Sequence, residues 1–223
     1  MARTSDAAGV LFDVDGTLVD TNYLHVIAWS RALRASGHEV PMATLHRTVG
    51  QGADRFVATV LGHPDESVSA AHSDFYGPNL HDLAAFAGAA DLLRTTKKAG
   101  LRVVLATSAS AEEVEHLRTA IDADDAIDEV TCKDDVDSSK PDPDLVQVGL
   151  DKAGLTAART IFVGDTVWDV EASKRAGVPC VCVLSGGIGA AELRDAGAVA
   201  IYDDVQALLR GFDDSPLAGL KAR

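Results

Sequence analysis

Short apolar runs alternate along this chain with stretches of helical periodicity, and that alternation constrains the fold more than any other feature. The runs cover residues 10–12, 101–106, 160–163, 179–184 and 198–201, each broken by glycine or a polar residue. Helical patterns lie at 88–99, 111–120, 144–153, 167–176 and 190–196, and several stop at Gly100, Gly154, Gly177 or Gly197, a normal helix end. Strands and helices alternating in this way predict an α/β fold, a doubly wound parallel sheet with a Rossmann-like core covered on both faces.

One segment breaks the rhythm. From residue 22 to residue 86 there is helical periodicity but no strand pattern, with helices expected at 22–36, 53–61 and 65–76, joined through Pro41, the 50–52 loop and the 62–64 turn. The block is too long for a simple crossover connection. The expected organisation is therefore an α/β catalytic core of residues 1–21 and 87–223 with an inserted α-helical cap domain of residues 22–86.

The apolar fraction of 47% argues for a globular protein, and a formal net charge of −14 without any Lys/Arg-rich run argues against nucleic acid as a partner. A small phosphorylated metabolite stays compatible with that charge, because a bound metal reverses the field locally. Cys132, Cys180 and Cys182 lack zinc-like pairing, and the last two alternate with valine, facing one side of a strand as small core hydrophobes. Residues 1–9 lack the pattern of a secretory signal, and no stretch approaches the roughly 20 apolar residues of a membrane span. A cytoplasmic protein with no membrane partner, monomeric or weakly homo-oligomeric, is expected.

Ligands of open α/β sheets bind beyond the carboxyl ends of the strands, and here polar residues gather at those ends. The first run, 10–12, stops abruptly at Asp13-Val14-Asp15-Gly16-Thr17. Side chains two apart on extended backbone point the same way, so Asp13 and Asp15 can share a site. The run 101–106 leads into Thr107-Ser108-Ala109-Ser110 before a helix, a setting of hydroxyls and free N–H groups that suits phosphate. The run 160–163 leads into Gly164-Asp165-Thr166 and, four residues on, Asp169; Lys140-Pro141 lies in the loop before the 144–153 helix.

These clusters make up the parts needed for phosphoryl transfer: an in-line nucleophile, a proton donor and charge neutralisation. Asp13 is expected to attack phosphorus and become an aspartyl-phosphate, and Asp15 to protonate the leaving alcohol and then deprotonate water. Magnesium is the expected cofactor, held by Asp13, the Asp15 backbone carbonyl and Asp165, with Asp169 orienting metal-bound water or Lys140. Thr107 is expected to hydrogen-bond the phosphoryl oxygens, beside Ser108, and Lys140 to add fixed positive charge. Taken singly, Thr107 and Ser110 also read as helix caps, Lys140 as a surface lysine and Asp169 as an exposed helix acid.

With these residues in view, the chain resembles the haloacid-dehalogenase-like superfamily of phosphohydrolases. Asp-x-Asp-Gly-Thr is matched by Asp13 to Thr17, the strand ending in Thr or Ser by Thr107, the lysine loop by Lys140, and the Gly-Asp-x-x-x-Asp element by Gly164, Asp165 and Asp169, in the family's order. The helical insert matches the subgroup with an α-helical cap, which includes phosphoglycolate phosphatases and β-phosphoglucomutases. The resemblance implies that Asp15 argues against dehalogenation, since dehalogenases lack that acid. The absence of lysine between Asp13 and Lys97 argues against the Schiff-base chemistry of phosphonatase-like members.

The resemblance also directs attention to the insert, which reads the leaving group in this family. His25 and Trp29 have the spacing seen in mutase-like members, so an intramolecular phosphotransferase is the competing reading. Against it, the mutase Gly-x-x-Arg loop is replaced by Gly50-Gln51-Gly52-Ala53-Asp54-Arg55, with Asp54 near the arginine position. A phospho-accepting signalling module is a third reading and a silent binding relative a fourth; Asp15 speaks against both, and the large insert against the third. Asn22, His25, Gly52 and Arg55, with Ser108 from the core, are the candidate substrate contacts. Trp29 is expected to pack inside the insert, and His46, His63, His72 and His81 to be surface or structural. The acids from Asp122 to Asp137 read as a solvated loop.

Overall fold

A computed structural model describes residues 7–220; expectations resting on residues 1–6 and 221–223 lie outside the described part. Six strands form one parallel sheet: β1 (Gly9–Phe12), β2 (Arg102–Ala106), β3 (Glu129–Thr131), β4 (Thr160–Gly164), β5 (Cys180–Val183) and β6 (Ala200–Tyr202), in the order β3-β2-β1-β4-β5-β6. The chain builds outward from β1 through β2 to β3, then returns to place β4 on the other side of β1. The carboxyl ends of β1 and β4 thus flank the point where strand order reverses, the crevice in which such sheets bind ligands.

Alternation along the strands explains the two layers of core. Val10, Phe12, Val103, Leu105, Ile161 and Val163 pack on one face, under Leu92 and Leu93 of α5 (Ala89–Lys98), Leu117 of α6 (Ala111–Ile121) and Leu208 of α10 (Val205–Arg210). Leu11, Val104 and Phe162 point to the other face, against Val146 of α7 (Asp144–Ala153), Val170 of α8 (Val167–Arg175) and Leu193 of α9 (Ala190–Ala196). Cys180 and Cys182 belong to this second face, their sulfurs 3.8 Å apart. Among the described residues no helix is long and apolar enough to cross a membrane.

Between β1 and α5 come four α-helices, α1 (Asn22–Ala35), α2 (Met42–Thr48), α3 (Ala53–Leu61) and α4 (Glu66–Tyr76), with their own apolar cluster of Val26, Trp29, Leu33, Leu45, Phe56 and Val68. Trp29 stacks on Phe56 with ring centroids 4.1 Å apart. Helix α2 is not among the expected elements; it is two turns long, begins directly after Pro41 and buries only Leu45 and Thr48, too few positions to show a period.

Strand β3 and helix α10 also depart from expectation. Strand β3 has three residues at the sheet edge, inside the acidic region read as a solvated loop. Several of those acids are in fact engaged: Asp128 accepts from the Val103 N–H and pairs with Lys97, Asp125 pairs with Arg94, Asp124 with Arg118 and Asp135 with Lys152. The chain there is dense in acid because it borders a row of cations on neighbouring helices.

Candidate active site

Asp13 directly follows β1, and its N–H continues the ladder by donating to the Val163 carbonyl at 2.9 Å. Its carboxylate is 2% exposed and accepts from Lys140 Nζ at 2.5 Å. The same ammonium donates to Asp169 Oδ1 at 2.7 Å, so Lys140, 1% exposed, bridges two acids. Asp169 stands at the third position of α8, where its Oδ2 closes a capping box by accepting from the Thr166 hydroxyl at 2.7 Å and the Thr166 N–H at 3.0 Å. The Gly-Asp-x-x-x-Asp spacing therefore has a local cause: the second acid caps its own helix with one oxygen and offers the other to the lysine.

Asp165, at the end of β4, accepts from Thr17 Oγ1 at 2.8 Å and from Asn22 Nδ2 at 3.1 Å. Two glycines make this approach possible. Gly16 has a positive φ of 75°, and a side chain there would overlap both Asn22 and Asp165. A Cβ on Gly186, in the loop after β5, would overlap the Asp165 carboxylate.

Asp15 faces the cavity from the turn. Thr21 Oγ1 donates to its Oδ1 at 2.7 Å, Thr107 Oγ1 to its Oδ2 at 3.0 Å, and His25 Nε2 lies 3.4 Å from Oδ1. Burial opposes ionisation of Asp15, but the His25 contact and the two threonine hydroxyls outweigh it and lower the carboxyl below its usual range. Asp13 and Asp165 go the other way. Burial raises Asp13 well above its ordinary value; Lys140 opposes this, while the neighbouring acids add to it. Burial and the charge of Asp169 push Asp165 up to about 7, against the pull of Thr17 and Asn22.

Four carboxylates, Asp13, Asp15, Asp165 and Asp169, thus share one ammonium, Lys140. Ligand oxygens of Asp13, Asp165 and Asp169 lie within 4.8 Å of one another. An all-carboxylate donor set with surplus negative charge fits a hard divalent cation. The linkage has a definite sign. The folded state holds protons at Asp13 and Asp165 that the unfolded chain, titrating near pH ~4, has released, so stability falls as pH rises through that window. In chelator, the melting temperature is expected to be roughly 5 °C lower at about pH 8 than at about pH 5.5. Magnesium is expected to recover the difference at the higher pH and add little at the lower. Differential scanning calorimetry at the two pH values checks both; equal melting temperatures in chelator would contradict them.

A cavity of about 110 Å³ opens above these acids. Asp13, Asp15, Ser108 and Lys140 line it from the sheet, and His25, Trp29, Gly52 and His72 from the helical insertion. Ser108 Oγ is buried there without a hydrogen-bond partner, whereas the Thr107 hydroxyl, expected at the phosphoryl oxygens, is committed to Asp15. Ser110 caps α6 in a capping box with Glu113.

Other candidate contacts sit differently from expectation. Asn22 does not line the cavity; its amide braces Asp165 and donates to the Gly186 carbonyl at 3.3 Å. Arg55 is also outside it, ion-paired to Asp142 of the lysine loop. Asp54 accepts from Ser139 Oγ at 2.7 Å, and Gly52 packs so closely on Ser139 that a side chain there would overlap it. The insertion is thereby docked against the segment carrying Lys140.

His72, read as surface or structural, is 6% exposed, stacks on Trp29 at 3.9 Å and reaches the cavity. Its signal in the sequence was helical spacing: His72 and Tyr76 share a face of α4 as His25 and Trp29 share one of α1. His46 is likewise engaged, with Nε2 2.8 Å from the Gly186 carbonyl.

A parallel sheet whose β1 carboxyl end presents a buried Asp-x-Asp beside a lysine and a second acidic pair defines a class of phosphohydrolase. The model of the haloacid dehalogenase-like hydrolases matches residues 10–183, and the chain belongs to that family. A phosphoglycolate phosphatase of Rhodospirillum rubrum is 31% identical over 214 residues, covering 89% of this chain and 88% of that protein. An N-acetylmuramic acid 6-phosphate phosphatase of Pseudomonas aeruginosa is 30% identical over 188 residues, covering 80% and 82%. The crystal structure of a hydrolase from Pseudomonas syringae, 33% identical, superposes with a TM-score of 0.87 over 93% of this chain and 98% of that one. The chain is an enzyme, a hydrolase of the phosphatase type, which sets the signalling-module reading aside.

Proposed function

We propose that this chain hydrolyses a small phosphate monoester, with magnesium, through an aspartyl-phosphate on Asp13. The observation that carries the reading is the buried Asp13 carboxylate at the β1 end, with one oxygen held by Lys140 and Asp15 on the same cavity wall. Magnesium, held by Asp13, the Asp15 backbone carbonyl and Asp165, supplies charge neutralisation for the carboxylates and the phosphoryl oxygens. Asp169 keeps Lys140 in place. Lys140 orients Oδ1 of Asp13 and leaves Oδ2 to attack phosphorus, with Ser108 Oγ donating to a phosphoryl oxygen. As the Oδ2–P bond forms, the ester P–O bond breaks; Asp15, ionised in the free site, takes up a proton from water as the negatively charged ester enters, and passes it to the leaving oxygen. Asp15, now ionised and stabilised by Thr21, Thr107 and His25, takes a proton from water; that oxygen attacks phosphorus, and the P–Oδ2 bond breaks to release phosphate.

In this reading residues 22–86 act as a cap over a core of residues 1–21 and 87–223, closing on substrate to exclude water during attack. Asp54 and Arg55, the residues nearest the mutase arginine position, are engaged by Ser139 and Asp142, which favours a phosphatase over a phosphomutase. The three buried free cysteines suit a reducing, cytoplasmic setting, and the cavity is complete within one chain, compatible with a monomer or weak homo-oligomer.

A cavity of about 110 Å³ is small for a ligand site and calls for a small leaving group. Of the two lysines lining it, Lys140 is consumed by Asp13 and Asp169, and Lys133 is exposed at the wall. That second cation suits an anionic leaving group, such as the carboxylate of phosphoglycolate. Lys133→Ala is expected to raise KM for a carboxylate-bearing monoester by roughly 3- to 10-fold and to leave KM for p-nitrophenyl phosphate unchanged. Initial-rate kinetics on the two esters checks it.

Phosphate release from a panel of small monoesters, with magnesium and with chelator, tests the function itself. Magnesium-dependent release, strongest for small anionic esters, is expected. No release, with conversion of β-glucose 1-phosphate in the presence of its bisphosphate instead, would overturn it in favour of a mutase.

A further inference from the structure

The acid–base aspartate does not stand alone on the insertion side. His25 Nε2 lies 3.4 Å from Asp15 Oδ1, and His25 Nδ1 lies 3.2 Å from Nε2 of His72. Three groups from three elements are thus in line: the turn after β1, helix α1 and helix α4. The rings are held by stacking. His25 lies on Tyr76 with centroids 4.0 Å apart and planes at 16°, and His72 lies on Trp29 at 3.9 Å and 20°. Each helix supplies one histidine and one aromatic a turn away, and the two pairs interlock.

Proton placement follows from the partners. The Asp15 carboxylate only accepts, so the contact is favourable when His25 carries its proton on Nε2. With that proton on Nε2 alone, the Nδ1 of His25 is bare and needs a donor, and the atom facing it is His72 Nε2. The other tautomer would set the Nε2 lone pair of His25 against the carboxylate. Burial holds His72 well below the usual imidazole range, so it faces His25 as a neutral ring.

We propose that His72 is a positioning residue for catalysis: its Nε2–H fixes the tautomer and tilt of His25, and through His25 the orientation of the Asp15 carboxylate. The proposal rests on the phosphatase reading only for its kinetic consequence; the tautomer it assigns to His25 stands apart from any substrate. Because α4 carries His72 and α1 carries His25, the line also ties the acid–base group to the packing of the insertion, so any shift of α4 against α1 would be felt at Asp15.

Two substitutions separate hydrogen bonding from packing. His72→Phe keeps a ring against Trp29 and removes the donor; His72→Gln places an amide near the same position and restores it. In protein labelled with ¹⁵N-histidine, at about pH 9 where imidazoles are neutral, His25 is expected as a single Nε2–H tautomer in the wild type and in His72→Gln. In His72→Phe it is expected as a mixture with the Nδ1–H form. With a turned-over monoester, His72→Phe is expected to lower kcat about tenfold with KM within about twofold, and His72→Gln to recover most of the loss. An unchanged His25 tautomer in His72→Phe overturns the proposal whatever the kinetics do, and leaves His72 as packing. If the wild-type protein turns over no monoester, the phosphatase reading fails while the spectrum still decides the role of His72.

Discussion

Asp13→Asn is expected to lower kcat at least ~10⁴-fold while leaving the fold intact, the largest effect of any single substitution in this chain. The amide has the shape of the carboxylate but is a poor nucleophile, and no other group on the cavity wall combines a free oxygen with a place beside Lys140. The fold is expected to survive because the change removes a strained charge. Asp13 is buried among three other acids and is held well above its ordinary pKa, so neutralising it relieves repulsion. Lys140 is not left unpaired, since Asp169 still accepts from it at 2.7 Å. Rapid-quench assays with ³²P-labelled monoester and a calorimetric melt check both halves. Labelled protein should form in the wild type and be absent in the variant, with a melting temperature equal to or above the parent's. Turnover within about tenfold of wild type would remove Asp13 from the role of nucleophile.

Lys140→Met is expected to cost stability as well as activity. The ammonium is 1% exposed and bridges Asp13 and Asp169 at 2.5 and 2.7 Å. An apolar replacement leaves two buried carboxylates facing each other without a counter-ion, and breaking a buried pair from one side costs about 3–5 kcal/mol. The exposed Arg55–Asp142 pair makes the contrast, since removing a surface pair costs at most about 1 kcal/mol. Urea unfolding in chelator should show the full deficit, and saturating magnesium should return part of it by supplying the missing positive charge. Activity should fall about 10³-fold even with magnesium, because Asp13 Oδ1 has lost the donor that aims it. A variant as stable as wild type in chelator would overturn the role of Lys140 as the counter-ion of this acid cluster.

Much of the sheet could be read from the chain because most of its strands are short, largely apolar and separated by glycine-ended helices. The runs read at 10–12 and 160–163 coincide with β1 and β4, and the helix read at 144–153 with α7. Strand β3 could not be read in this way: its residues are Glu129, Val130 and Thr131, and a three-residue edge strand has neither the length nor the apolar run that marks a buried one. Helices α2 and α10 are too short to show a period. At the site, the chain showed which polar residues end strands, but not which of them meet. Asn22 and Arg55, named as candidate substrate contacts from the resemblance, sit against Asp165 and Asp142, and His72, read as surface or structural, meets a partner, His25, that is 47 residues away.

What the sequence by itself determined is local. Hydrophobic alternation sets strands and helices, two residues of extended chain carry Asp13 and Asp15 to the end of one strand, and one helical turn lets Asp169 cap α8 behind Asp165. What only the tertiary structure decided is every meeting between distant parts: β4 beside β1, Lys140 reaching Asp13 across 127 residues, Thr107 committed to Asp15, and His72 behind His25. The physical reason is that periodicity and capping act over a few residues of backbone. Strand order and helix packing are settled by burial of whole faces, and no short stretch of chain encodes which face it will meet.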